Sequence, residues 1–163
     1  MTQVVAPPAH KSPAPANPLG DPTLDVFVPG RPAPQGSKRF LGNRGGKGIT
    51  VESSKAVAPW RADIREHVAA RRSEPPLAGA LAVRLEFVLP RPVSTPKRRT
   101  PAAVKRPDLD KLVRAVLDAL GSAGLWVDDS QVVDLATSKR LAEVGEASGC
   151  RICVWTAAGD PRG

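Results

Sequence analysis

Cysteine and histidine are scarce in this chain. Cys150 and Cys153 form a lone C-x-x-C, and the only histidines are His10 and His67. Tetrahedral zinc would have to recruit ligands from the N-terminal tail and a distant helix, so the pair argues against a zinc centre. Within residues 151–155 the two cysteines read instead as small side chains on opposite faces of a strand. Long apolar runs are missing as well. No stretch approaches the roughly 18 apolar residues of a spanning helix, and the first 22 residues lack the uninterrupted apolar segment of a secretory signal. The expectation is a cytoplasmic protein with no membrane partner and no organic cofactor. Acids are the third shortage: 16 Asp plus Glu face 24 Lys plus Arg, a formal charge of +8. So basic a chain points to nucleic acid as partner ahead of an anionic membrane surface.

What remains suffices for one domain of 163 residues with its own core. Residues 1–21 are rich in Pro and Ala with few large apolar side chains, and are expected to be a disordered tail. A single folded domain over 22–158 and a disordered 159–163 complete the division. Leu24 to Val28 reads as the first strand, closed by the breakers Pro29, Gly30 and Pro32. Residues 36–48, GSKRFLGNRGGKG, form a glycine-rich basic stretch. It is no P-loop, because Leu41 stands where the first glycine belongs and Gly48 follows Lys47. The better reading is a flexible basic hairpin, with Lys38, Arg39, Arg44 and Lys47 available to grip a DNA backbone and Phe40 to stack on an unpaired base. A solvated hairpin tip is the alternative.

Ile49 to Glu52 returns as a strand, and Ser53 or Ser54 is placed to cap a helix reaching about Arg72. Val57, Trp60, Ile64 and Val68 recur at helical spacing, which makes Trp60 a core anchor. Leu81, Val83, Leu85, Phe87 and Leu89 alternate with their neighbours as a half-buried strand. Residues 91–106 then hold six basic side chains and no acid. Prolines 92, 96 and 101 forbid a regular helix or central strand there. Lys97, Arg98, Arg99, Lys105 and Arg106 read as a DNA-contacting loop. Leu109, Leu112, Val113, Val116, Leu117 and Leu120 form one apolar stripe of a helix over about 109–120. Residues 132–136 and 151–155 look like two strands joined through the turn region 145–149.

Against this basic background four aspartates stand in two tight pairs: Asp108 and Asp110, then Asp128 and Asp129. Neighbouring carboxylates repel unless a hard divalent cation neutralises them, so the pairs read as a metal site. Helix capping explains Asp108 well and Asp110 adequately, so the first pair alone would be weak evidence. Asp110, Arg114 and Asp118 follow at i+4 spacing, which makes Asp118 a surface partner of Arg114. A helix leaving the first pair and a strand starting at the second can bring both pairs together at one end of a sheet, so the geometry permits a shared site.

The run Asp108-Leu109-Asp110, Leu112, Arg114, Asp118-Ala119-Leu120, Ala123-Gly124, Trp126, Asp128-Asp129 and Gln131-Val132 resembles the RusA Holliday-junction resolvases. The likeness is densest over about residues 105–140. It implies an α+β fold, a small mixed β-sheet packed by two main helices, in a homodimer. It also implies an endonuclease acting on branched DNA, introducing paired symmetric nicks in four-way junctions with Mg²⁺ or Mn²⁺. The family's essential acids fall on Asp108, Asp110 and Asp129, with Asp128 adjacent as a further metal ligand. Its essential lysine falls on Arg114, which keeps the charge but is a poor proton donor. Lys111 stands where relatives often carry Asn and is a second candidate cation for the phosphate. A non-catalytic DNA-binding module and a broader flap or fork endonuclease are the alternatives.

Overall fold

The structure, a computed structural model, describes residues 19–36, 38–45, 47–52 and 55–156, and of 38–44 and 47–52 the backbone alone. Most of the expected N-terminal tail (residues 1–18), residues 159–163 and the side chains of Lys38, Arg39, Phe40, Arg44 and Lys47 lie outside the described residues. Strands β1 (Leu24–Pro29), β4 (Leu81–Leu89), β5 (Val132–Leu141) and β6 (Gly149–Thr156) form one sheet in the order β1-β6-β4-β5. Strands β2 (Lys38–Arg44) and β3 (Lys47–Glu52) pair antiparallel as a separate hairpin. With helices α1 (Val57–Ala69) and α2 (Leu109–Ser122), the chain is an α+β fold built on a mixed sheet and two helices, as the family resemblance implies.

The alternation in β4 decides which face carries the core. Leu81, Val83, Leu85, Phe87 and Leu89 join Leu24, Val26 and Val28 of β1 and Cys150, Ile152 and Val154 of β6 under the two helices. Trp60, Ile64 and Val68 of α1, with Leu112, Val116 and Leu120 of α2, close that core from above. Cys153 lies on the other face with Ala82 and Trp155, so the two cysteines do occupy opposite faces and both are free thiols. Burial pushes the Cys153 thiol up to about 11, and the Cys150 thiol further still, so neither is a reactive thiolate at neutral pH.

Two expectations change. Helix α1 starts at Val57 with Ala56 in the cap position and no side-chain cap, rather than at Ser53 or Ser54. Strands β5 and β6 are consecutive but not neighbours, because β4 lies between them, antiparallel to β6 and parallel to β5. Parallel pairing needs a crossover that returns the chain to the starting end of the sheet. Helix α2 supplies it, and so runs antiparallel to β5 for the length of the sheet. That crossover decides where the acids go.

Candidate active site and nucleic-acid interface

At the N-terminal end of α2, Asp108 has the extended backbone of a cap residue (φ −70°, ψ 137°) but its side chain makes no capping hydrogen bond. Its carboxylate instead lies 3.4 Å from Lys111 Nζ, across an exposed i,i+3 pair. Asp110, in the first turn, is exposed and has no ion-pair or side-chain hydrogen-bond partner among the described residues. The capping explanation for this pair is therefore not realised. Two carboxylates point into solvent at a helix end whose partial positive charge favours anions.

The second pair sits on a short turn built by its own side chains. Asp128 caps a 3-10 turn over Asp129–Gln131, accepting a hydrogen bond from Ser130 N at 2.8 Å. Ser130's hydrogen bonds hold the Asp128 carboxyl below the usual carboxylate range. Gln131 closes the capping box. Its Oε1 accepts from Val127 N (2.9 Å) and Asp128 N (3.1 Å), while its Nε2 donates to Leu77 O (2.9 Å) and Gly79 O (3.1 Å). Asp129 then projects sideways: its Oδ1 accepts from Trp126 Nε1 at 2.7 Å. The indole is buried (2 % exposed), so it fixes the carboxylate while Oδ2 makes no side-chain bond among the described residues. The spacing W-x-D-D-x-Q is thus one structural unit. Asp128 holds the turn and Asp129 is what the turn presents.

Within one chain the two pairs do not meet at a shared end of the sheet, the arrangement the sequence left open. A Cβ placed on Gly121 would lie 3.2 Å from Asp129 Oδ1, so Asp129 sits against the C-terminal end of α2. Eleven residues of helix separate Gly121 from Asp110, about 16 Å. Among the described residues no three potential metal ligands cluster. The reason is the crossover: α2 carries the chain from one end of the sheet to the other before β5 begins.

The charge ladder on α2 also differs from expectation. Asp118 accepts from Arg61 Nη2 of α1 at 2.9 Å, and Arg61 reaches Gln35 as well. Arg114 is exposed and has no ion-pair partner among the described residues. At 100° per residue Asp110, Arg114 and Gly121 fall within about 40° of one another, so one side of α2, exposed at Asp110 and Arg114 and half-buried at Leu117 and Gly121, runs from the first acid pair towards Asp129.

The basic loop between β4 and α2 is irregular, as its prolines dictate, and is braced from inside. Arg91 donates from Nη2 to Pro96 O (2.6 Å) and Arg99 O (2.9 Å), and from Nη1 to Thr100 Oγ1 (2.7 Å) and Ala142 O (3.2 Å). Arg91 is consequently a loop organiser, while Lys97, Arg98, Arg99, Lys105 and Arg106 are exposed. Sequence reasoning missed a second brace. Lys139 of β5 donates from Nζ to Lys105 O (3.0 Å) and Pro107 O (2.8 Å), the backbone that leads directly into Asp108. A half-buried lysine between the apolar residues of edge strand β5 was the available signal.

Comparison with known proteins identifies the family. Residues 29–151 match the family described as endodeoxyribonuclease RusA. A crossover junction endodeoxyribonuclease of Enterobacteria phage 82 is 31% identical over 106 residues, covering 65% of this chain and 75% of that protein. The crossover junction endodeoxyribonuclease RusA of Escherichia coli K12 is 30% identical over the same coverage. The matched stretch takes in both acid pairs, the braced loop and the crossover helix between them. This chain therefore belongs to the RusA family of endodeoxyribonucleases.

Proposed function

We propose that this endodeoxyribonuclease resolves four-way DNA junctions by paired, symmetric nicks, using Mg²⁺ or Mn²⁺ held between two copies of the chain. The observation that carries the reading is one side of α2, with Asp110 and Asp108 at one end, the exposed Arg114 between, and Asp129 against the other end. Asp110 without a partner, Asp108 released from capping and the open oxygen of Asp129 offer the hard oxygen donors that such ions take. A two-fold axis near the middle of this face would lay two α2 helices antiparallel. Each acid pair would then meet the partner's Asp129, giving two equivalent sites for two symmetric strands. Val127, and Val133 and Leu135 of β5, are exposed and supply apolar surface for such contact.

A bound divalent ion would supply an activated water and stabilise charge developing at phosphorus. The chain's own contribution is placement. Asp108 and Asp110 would hold the ion at the helix end, and Trp126 holds the Asp129 carboxylate in one orientation. Arg114, near the middle of the face, offers a fixed positive charge to a phosphate oxygen. A guanidinium does not give up its proton in proteins, so the proton the leaving oxygen needs comes from water or Lys111. The braced loop and the basic hairpin carry the sequence-independent grip on the backbone. Among the described residues no helix is long and apolar enough to cross a membrane.

Cleavage of a four-way junction, a flap and linear duplex, each with and without Mg²⁺, tests the activity. Resolution of the four-way junction alone supports the reading; metal-independent binding without product refutes it. Asp110→Asn and Asp129→Asn should each be inactive, and their mixture tests the shared site. A mixed dimer retains one intact composite site and regains single nicks. No recovery would place the site within one chain.

A further inference from the structure

One cavity of about 380 Å³ lies outside the acid site but touches its threshold. It opens between the end of β1, the ends of β4 and β5, and the loop 90–107, and its wall ends at Pro107, next to Asp108. We propose that this cavity receives one unstacked nucleobase of the bound branched DNA. The proposal rests on the nuclease reading above for its choice of ligand.

Three properties favour that occupant. The volume falls within the roughly 300–1,000 Å³ of small-molecule sites. The walls are flat and apolar, from proline rings with Leu89, Ala103 and Leu141, while Ser94 and Thr95 bring two hydroxyls that no described residue engages. Arg31, Lys105 and Arg106 also line it, with no acid among the lining residues. A planar heterocycle needs apolar faces and a few polar atoms at its edge, and the phosphates on either side of it need cations. The same set would repel a cationic or acid-seeking ligand.

The cavity is also held open. Arg91 ties residues 96, 99 and 100 to Ala142, and Lys139 ties residues 105 and 107 to β5. Prolines at 90, 92, 96, 101 and 107 limit backbone relaxation between those ties. A preformed pocket costs little ordering on binding, which suits capture of a base that the branch point has already unpaired.

The test uses the full-length protein and a four-way junction without divalent metal, so that binding is read separately from cleavage. 2-Aminopurine is scanned through the positions flanking the point of exchange. One or two positions should brighten several-fold on binding, and 5-iodouracil at those positions should photo-cross-link to residues 94–107. Ala103→Phe fills the cavity and should return the fluorescence towards the unbound level, with junction affinity changed less than about threefold. Brightening that survives Ala103→Phe, or cross-links that map elsewhere, overturns the proposal. Should Ala103→Phe fail to fold, the wild-type cross-link decides alone. Loss of nuclease activity on every substrate would refute the functional reading while leaving the fluorescence and cross-link results to judge the pocket.

Discussion

The indole of Trp126 donates its only N–H to Asp129 Oδ1 at 2.7 Å, from a ring that is itself buried against the core. The hydrophobic core thereby sets the direction of an exposed carboxylate. Trp126→Phe keeps an aromatic ring but removes the donor. Strand cleavage at saturating Mg²⁺ should fall about tenfold, the worth of one hydrogen bond to a charged group, with thermal unfolding lowered only modestly. An unchanged cleavage rate would show that Asp129 is oriented by something else.

Gly121 leaves room for that same pair. An alanine Cβ there would sit 3.2 Å from Asp129 Oδ1 and 3.6 Å from Trp126 Nε1. Glycine costs a helix about 1 kcal/mol relative to alanine, so Gly121→Ala should raise or preserve stability. Cleavage should nevertheless drop, because the exposed carboxylate is the group that yields. Measuring the unfolding midpoint and the cleavage rate on one preparation separates the two effects.

Lys139 holds the carbonyls of Lys105 and Pro107 just before Asp108. Lys139→Met leaves those carbonyls without their charged donor and should cost about 1–3 kcal/mol of stability. Cleavage should fall further than junction binding, since the basic side chains of the loop remain. Arg should not restore it fully, because a planar guanidinium cannot reproduce the point charge between two carbonyls. Equal losses in binding and cleavage would make Lys139 a fold residue only.

On the opposite face of the sheet Arg151 donates to both oxygens of Asp25, at 3.0 and 2.8 Å. The Arg151 hydrogen bond holds the Asp25 carboxyl below its ordinary 3.8. A carboxyl depressed in the folded state stabilises above the unfolded value and loses that contribution as pH falls through the folded one. Arg151→Met should therefore differ from wild type by at most about 0.5 kcal/mol at neutral pH, given the solvent exposure of both groups. The difference should shrink below pH 3.8 in denaturant titrations.

Much of the fold was legible in local patterns. The alternation in β4, the apolar stripe of α2 and the helical spacing of Trp60, Ile64 and Val68 all report burial, which side-chain periodicity encodes directly. Helix α1's start was not, because Ala56 carries no capping signal. The pairing of Asp118 with Arg61 was equally hidden, since i+4 spacing names a neighbour on the same helix and says nothing of the helix packed against it.

The sequence by itself determined the ingredients: an α+β domain, a basic chain, two acid pairs and the W-x-D-D-x-Q turn that builds itself from residues six apart or fewer. Tertiary structure decided their distances. A parallel β4–β5 pair forces α2 to cross the sheet, and that crossing puts about 16 Å of helix between Asp110 and Gly121, the residue against which Asp129 sits. Which strand lies beside which depends on contacts between residues far apart in the chain, and no local periodicity carries that information.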